Sequence, residues 1–299
     1  MSRPALTILT PSLNHGRFIG AAVDSACPRQ DISFEHLVID GGSSDETAEV
    51  LAARPRLDVH VRPELDSHEA LNFGLARARG EVVGFLNADD RYDAGALDAV
   101  MDIFATRPAV EAVCGGMRFF HEEAGVEKET RLFMHRTGEE MALELTFGNP
   151  GFNSWFFRRG LLGRLGGFRP TYRFAADRDL LLRLYALTTP LTLPRIVYHY
   201  RVHEGSRTMD PRGTNRQAMI QDELAIIRDQ SAEIWRHDPR MLTMLANWAA
   251  LEQFKLVVRA ILYRTGPVWS TLRATPWHRV PAALYLRRRW LRILFGHTP

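Results

Sequence analysis

Cysteine is nearly absent: only Cys27 and Cys114 occur in 299 residues, and their spacing is not that of a metal site or a redox pair. A chain of this length buries a self-sufficient core without disulfides, so two reduced, packed thiols in a reducing, cytosolic compartment are expected. No run approaches the roughly 18 uninterrupted apolar residues of a membrane span, and no charged-then-apolar leader precedes the first apolar segment. A chain that does not cross the membrane is the expectation. Neither a GxGxxG fingerprint nor a Walker loop is present, which counts against a dinucleotide-dependent oxidoreductase and a phosphate-loop NTPase. Internal repeats and low-complexity tracts are also missing.

Acidic residues are scarce in one region. Residues 240–299 hold ten Lys/Arg against a single acid, Glu252. The rest of the chain carries 28 basic and 34 acidic residues, so the net charge of +3 joins a mildly acidic body to a strongly basic tail. Such asymmetry points to an anionic partner for the tail alone.

What is present is an alternation of short apolar runs and helical patterns. The spacing predicts strands at Ala5–Thr10, His36–Asp40, Asp58–Arg62 and Val82–Asn87. Helices are predicted at Arg17–Ala26, Asp45–Ala53, Ser67–Arg79 and Gly95–Thr106, with Ser43 and Glu46 as a capping box for the second. This is the pattern of an α/β protein with a mostly parallel, doubly covered sheet. Further on, Val110–Cys114, Arg118–Phe120, Ser154–Phe157 and Leu193–Tyr200 read as strands, Glu122–Arg131 as a charged loop and Asp177–Leu187 as a helix. Beyond Thr214 only helix is predicted.

Parallel sheets bind ligands where loops leave the carboxyl ends of the strands, and the polar clusters of this chain sit in those loops. They are Thr10-Pro11-Ser12-Leu13-Asn14, Asp40-Gly41-Gly42-Ser43-Ser44-Asp45 and Asn87-Ala88-Asp89-Asp90. An Asp after an apolar strand accepts from a nucleobase N–H or a ribose hydroxyl, and the same Asp-Gly pair equally makes an ordinary turn. A carboxylate cluster at a strand end holds a hard cation against diphosphate oxygens, or merely caps a helix.

Together with Glu69-Ala70-Leu71-Asn72-Phe73-Gly74 and Ala176-Asp177-Arg178-Asp179-Leu180, these segments resemble, in order, the motifs of glycosyltransferase family 2, which has the GT-A fold. The resemblance covers roughly residues 4–208. It implies a catalytic domain over 1–210, divided into a nucleotide-binding half (1–108) and an acceptor-binding half (109–210), followed by a helical, basic appendage over 211–299. It implies nucleotide contacts from Thr10, Pro11, Asn14, Asp40, Asn72 and Asn87, a divalent cation (Mn2+ or Mg2+) on Asp89, and Asp177 as catalytic base. His203, in Tyr200-Arg201-Val202-His203, matches the family's late His loop and is implied to touch metal or pyrophosphate. A lone His is more often simply hydrogen-bonded.

The chain departs from the pattern in three places. Asn87 stands where the metal motif has its first Asp, and Ala176 stands where a Glu usually precedes the base. The segment Pro63–His68 lacks the expected basic residue, so diphosphate neutralisation falls to the metal, to His68 or His203, or to Arg91 or Arg207. Asp179 and Arg183 have salt-bridge spacing and are read as structural. The Trp155-Phe156-Phe157 cluster reads as an apolar strand, with Asn153 toward the acceptor.

The implied activity is an inverting, metal-dependent hexosyltransferase that uses a nucleotide-sugar, UDP-linked by preference, and a glycan or lipid-linked hydroxyl, as in cell-surface polysaccharide synthesis. A nucleotidyltransferase would want a Gly-rich basic loop after the first strand, and an inert binding module would have lost Asp89 or Asp177. A nucleic-acid binder would need an aromatic stacking array, and none is visible. The basic tail either packs on the catalytic domain or meets an anionic membrane from the inner face, where each basic residue contributes about 1 kcal/mol.

Overall fold

A computed structural model of the chain describes residues 3–123, 126–148, 150–203, 205, 214–263 and 268–295. The elements in chain order are β1 (Leu6–Ser12), α1 (Gly16–Ser25), β2 (Phe34–Asp40), α2 (Thr47–Ala52), β3 (Leu57–Val61), α3 (Ser67–Arg77), β4 (Val82–Phe85), β5 (Arg91–Tyr92) and α4 (Ala96–Thr106). Then follow β6 (Ala112–Glu123), β7 (Val126–Phe133), α5 (Gly138–Phe147), β8 (Trp155–Arg158), α6 (Arg159–Leu165), α7 (Ala176–Leu187) and β9 (Leu191–Arg201). Four helices complete the chain: α8 (Thr214–Glu233), α9 (Pro239–Tyr263), α10 (Val268–Ala274) and α11 (Val280–Phe295).

By their contacts the residues form two compact units. The first comprises Met1–His135, Gly151–Pro170 and Thr188–His203, and holds the whole sheet. Its strand order is β3-β2-β1-β4-β8-β6-β9-β5, with β7 beside β6. The strands β3, β2, β1 and β4 are parallel to one another, as is β9 to β6, and antiparallel pairing enters with β8, β5 and β7. The mixed α/β sheet agrees with the alternation in the sequence. Leu6, Ile8 and Leu9 of β1 and Leu37, Val38 and Ile39 of β2 are all buried, the continuous apolar runs of strands covered on both faces.

Two local expectations are corrected. The described residues of the charged stretch Glu122–Arg131 lie in two antiparallel strands, the end of β6 and most of β7, rather than in a loop. Their charges are paired across neighbouring strands: Glu127 with Arg91 and Arg118, and Glu129 with Arg118 at 3.3 Å. The expected Ser43/Glu46 capping box does not form. Glu46 at the N-cap of α2 makes no side-chain cap, and Asp45 Oδ1 accepts from the Thr47 N–H at 3.0 Å instead. A true capping box starts α3, where Asp66 accepts from His68 and Glu69 N–H and Glu69 accepts from Asp66 N–H, all at 2.9 Å. Asp66 and Glu69, in and beside the Pro63–His68 segment, are therefore occupied as helix caps.

The second unit comprises Arg136–Pro150, Thr171–Leu187 and Glu204–Pro299, and is helical. Helix α5 was not anticipated because Met141 through Phe147 are buried all round, which erases the 3.6-residue alternation. The unit's core includes Leu145, Leu181, Leu184, Ile226, Leu245, Trp248 and Leu251. Asp179, fully buried, binds Arg183 at 2.8 Å and accepts from Gln230 Nε2 at 2.8 Å, the structural role its spacing predicts. No described helix is long and apolar enough to cross a membrane.

Candidate functional site

In the first unit, the loops leaving β1 and β2 are bonded to each other. Asn14 adopts φ +56°, in the left-handed region that Asn tolerates, and its N–H donates to Ser43 Oγ at 2.8 Å. Its side-chain Oδ1 accepts from Ser44 N–H at 2.8 Å, and Asp45 Oδ2 accepts from Gly16 N–H at 2.9 Å at the start of α1. The Thr47 hydroxyl accepts from His15 N–H at 3.0 Å. These bonds fix the two loops as one rim at the carboxyl ends of the parallel strands.

Asp40 lies at the floor of that rim, 5% exposed. Its Oδ2 accepts from Gly42 N–H at 3.0 Å and Ser43 N–H at 2.8 Å, and its Oδ1 accepts from the Ser43 hydroxyl at 2.6 Å. Gly42 has φ +79°, and a Cβ there would stand 3.0 Å from the Pro63 ring, so the turn requires glycine. Three of the roughly four acceptor positions of the carboxylate are thus engaged locally. Opposite Asp40 in the register is Ser12, whose buried hydroxyl has no hydrogen-bond partner among the described residues. Thr10 Oγ1 is 2.8 Å from His36 Nε2, and burial pushes the His36 imidazole down to about 3, so the ring is neutral. Pro11 sits between these positions on β1.

The cluster after β4 separates into distinct roles. Asp90 is 1% exposed, and accepts from Tyr198 Oη at 2.8 Å, Arg201 N–H at 2.8 Å and Asn87 Nδ2 at 3.0 Å. Burial, with the charge of Asp89 beside it, holds its carboxyl well above the usual carboxylate range, against the pull of those three donors. Asn87 N–H also donates to Tyr198 Oη at 3.1 Å. Asp90 and Asn87 therefore fasten the end of β9 to the end of β4.

Asp89 is the residue left facing outward. Its Oδ2 is 3.0 Å from His203 Nε2, and the two side chains are 19% and 22% exposed. Arg201 fixes this corner from behind: its Nε donates to the Asp89 carbonyl at 2.9 Å, its Nη1 meets Glu122, and its guanidinium lies over Phe18 and Phe120. The Phe18 ring packs on His203, with centroids 5.0 Å apart. Among the described residues no three His, Cys, Asp or Glu side chains converge. A cation here would take one carboxylate oxygen and one imidazole nitrogen from the chain, and the rest of its shell from phosphate and water. The carboxylate, phosphate and water oxygens of that set suit a hard divalent ion, and the imidazole adds one softer nitrogen ligand.

Other expected contacts have other partners. The Asn72 amide is used on the main chain of Phe168, donating to its carbonyl at 2.8 Å and accepting from its N–H at 2.9 Å. Gly167, at φ +70°, fits this clamp because a Cβ would stand 2.6 Å from Asn72 Oδ1. Arg91 is engaged by Glu127 and stacked over Phe120. His68 packs against the Phe168 ring, with centroids 5.6 Å apart. Arg207 lies outside the described residues. Asn153 is half-buried in a turn at Phe152–Ser154. Sequence reasoning missed Tyr198 and Arg201. Arg201 lies inside the Tyr200–His203 segment that the sequence singled out for His203, and Tyr198 stands two residues before it.

In the second unit, Asp177 stands in the first turn of α7, partly exposed, with Oδ1 accepting from Arg178 N–H at 2.7 Å. Arg178 donates to the Leu145, Thr146 and Gly148 carbonyls at 2.6, 3.2 and 2.9 Å, and its guanidinium lies over Trp248. The start of α7 is thereby tied to the end of α5.

The sequence model of Glycosyl transferase family 2 matches residues 7–165. A "PGL/p-HBAD biosynthesis glycosyltransferase" of Mycobacterium tuberculosis is 30% identical over 194 residues, spanning 62% of this chain and 72% of the relative. In structure the chain is similar to S. aureus TarS 1-349 in complex with UDP (TM-score 0.60, 17% identity, 96% of this chain and 88% of that one). It spans 53% of the longer TarS chain, with a TM-score of 0.65. It is also similar to the mannosyltransferase PcManGT of Pyrobaculum calidifontis in complex with GDP-Man and Mn2+ (TM-score 0.56, 21% identity, 100% and 89% covered).

Proposed function

The chain belongs to glycosyltransferase family 2 and has its GT-A fold, and on that premise we propose that it transfers a hexose, with inversion, from a UDP-sugar to a hydroxyl of a glycan or lipid-linked acceptor. The observation that carries the reading is the Asp89–His203 pair, outward-facing at the end of a parallel strand while its neighbours Asn87 and Asp90 are spent on the fold. Asp89 and His203 would hold the divalent cation. When bound, that cation neutralises the diphosphate and so improves it as a leaving group. The Mn2+ in the mannosyltransferase complex supports this assignment.

The nucleotide is assigned to the rim after β1 and β2. The buried Ser12 hydroxyl beside Asp40 is an orphan that a ligand would satisfy, and Asp40 retains acceptor capacity toward a ribose hydroxyl or an imide N–H. Thr10, Pro11 and Asn14 shape the rim, and the UDP bound to TarS supports a uridine donor. Asn72 is given a positioning role through Phe168 rather than a nucleotide contact. Asp177 is proposed to take the proton from the attacking hydroxyl, a role worth about 10²- to 10⁴-fold in rate. The acceptor C–O bond forms as the bond from the anomeric carbon to the diphosphate breaks, and no covalent intermediate is required.

We also assign the helical region from 211 onward to an anionic membrane surface, which suits a lipid-linked acceptor of cell-surface polysaccharide synthesis. The test of the proposal is a panel of nucleotide-sugars incubated with Mn2+, read as nucleotide release and as the anomeric configuration of the product. Release from a UDP-sugar with an inverted product is expected. Absence of turnover with every donor, or a retained configuration, would overturn it.

A further inference from the structure

The helices of the second unit leave large apolar side chains in water. Trp269 of α10 is 77% exposed, Leu262 at the end of α9 is 67% and Tyr285 of α11 is 64%, and Ile261, Trp277 and Leu284 are exposed with them. Single exposed apolar residues are ordinary, but six of this size within 25 residues of sequence are an unusual concentration. They belong to one packed group of elements, since α10 and α11 both lie against α9. Trp277, between α10 and α11, donates its indole N–H to the Leu272 carbonyl at 2.9 Å and sets its ring edge-on to Phe254 of α9.

Charge identifies the occupant. Trp269 and Arg273 stand four residues apart on one helix, and so do Leu284 and Arg288, with Tyr285 three residues from Arg288. Both arginines are exposed, and no Asp or Glu follows Glu252 in the sequence. Among the described residues neither Arg273 nor Arg288 forms an ion pair. Aromatic and aliphatic side chains interleaved with unopposed cations match the boundary of an anionic bilayer, where rings sit at headgroup level and arginines meet lipid phosphate. A purely acidic surface would meet the cations and leave the rings in water, whereas a bilayer boundary meets both, and the apolar residues that do pack inward, such as Leu245, Trp248 and Leu251, are separate from these.

We propose that Leu262, Trp269, Trp277, Leu284 and Tyr285, flanked by Arg273 and Arg288, form a surface that inserts shallowly into an anionic membrane. This rests on the assignment of the helical region to a membrane, and is independent of the transfer chemistry. Arg287 is not part of the surface: it is half-buried, and its charge environment includes Arg178, Glu252, Arg216 and Glu223 of the helical core.

The test uses the full chain with vesicles of phosphatidylcholine alone or mixed with phosphatidylglycerol, read by co-sedimentation and by quenching of tryptophan fluorescence with brominated lipid. Binding to the anionic vesicles only, quenching on binding, and loss at high salt are expected. Trp269→Ala with Tyr285→Ala should weaken binding about tenfold or more, and Arg273→Glu with Arg288→Glu should abolish it, with the thermal transition and UDP affinity of the parent retained. Equal binding to neutral vesicles, or binding to neither, would overturn the membrane assignment and this surface together. Anionic binding without quenching, or unchanged by the Trp269/Tyr285 substitutions, would overturn the surface alone. A failed donor assay beside normal vesicle binding would bear only on the transferase reading.

Discussion

Asp89 and His203 are 114 positions apart in the chain, and their side chains meet at 3.0 Å. What brings them together is Asp90, whose buried carboxylate gathers the Tyr198 hydroxyl and the Arg201 N–H at the end of β9. Asp90→Ala should therefore act twice. Leaving three donors without their acceptor should lower unfolding free energy by about 2–4 kcal/mol. Releasing the end of β9 should also weaken Mn2+-dependent UDP binding. Denaturant unfolding and calorimetry on one variant check both, and unchanged UDP binding would show that His203 does not depend on the clamp.

Asp177→Asn removes a base while keeping shape. UDP-sugar affinity should stay at the parental level while turnover falls by about two orders of magnitude or more, measured as kcat and donor affinity separately. Near-parental turnover would move the role elsewhere. Asp179 is excluded as the substitute by its complete burial against Arg183 and Gln230.

Asn72→Ala separates a clamp from a ligand. Because both ends of the amide bind Phe168, the substitution should cost about 1–3 kcal/mol of stability and leave UDP affinity within a factor of about two. A large loss of UDP affinity with unchanged stability would restore a direct nucleotide contact.

His36 makes the fold sensitive to acid. Its folded-state value, about 3, lies below the ordinary 6.5. Between these pH values the unfolded chain binds the extra proton, so this contribution is fully present above about pH 6.5 and is lost as pH falls toward 3. The loss should be on the order of a few kcal/mol, and unfolding of His36→Gln followed against pH should show a flatter slope over that window.

Much of the first half was legible in the sequence because its signals are local. Apolar runs such as Leu37-Val38-Ile39 fix buried strands, and polar clusters at their ends mark the loops where ligands bind. The roles inside those clusters were not legible. Asp89 and Asp90 are adjacent and chemically alike in the sequence, and only the arrival of Tyr198 and Arg201 from a distant strand decides which one faces outward. The same holds for Asn72, whose partner Phe168 is 96 residues away. Helix α5 and the charged strand pair of β6 and β7 were hidden because full burial in one case and paired charges in the other remove the alternation on which such readings depend.

The central claim is that the chain holds a divalent cation against a nucleoside diphosphate through Asp89 and His203. Its most direct measurement is calorimetric binding of UDP to the full chain with Mn2+ and with excess EDTA, repeated for Asp89→Ala and with uridine as the phosphate-free control. The account predicts at least about a tenfold loss of UDP affinity on chelation, the same loss in Asp89→Ala even with Mn2+ present, and uridine binding indifferent to both. UDP affinity unchanged in excess EDTA would contradict it.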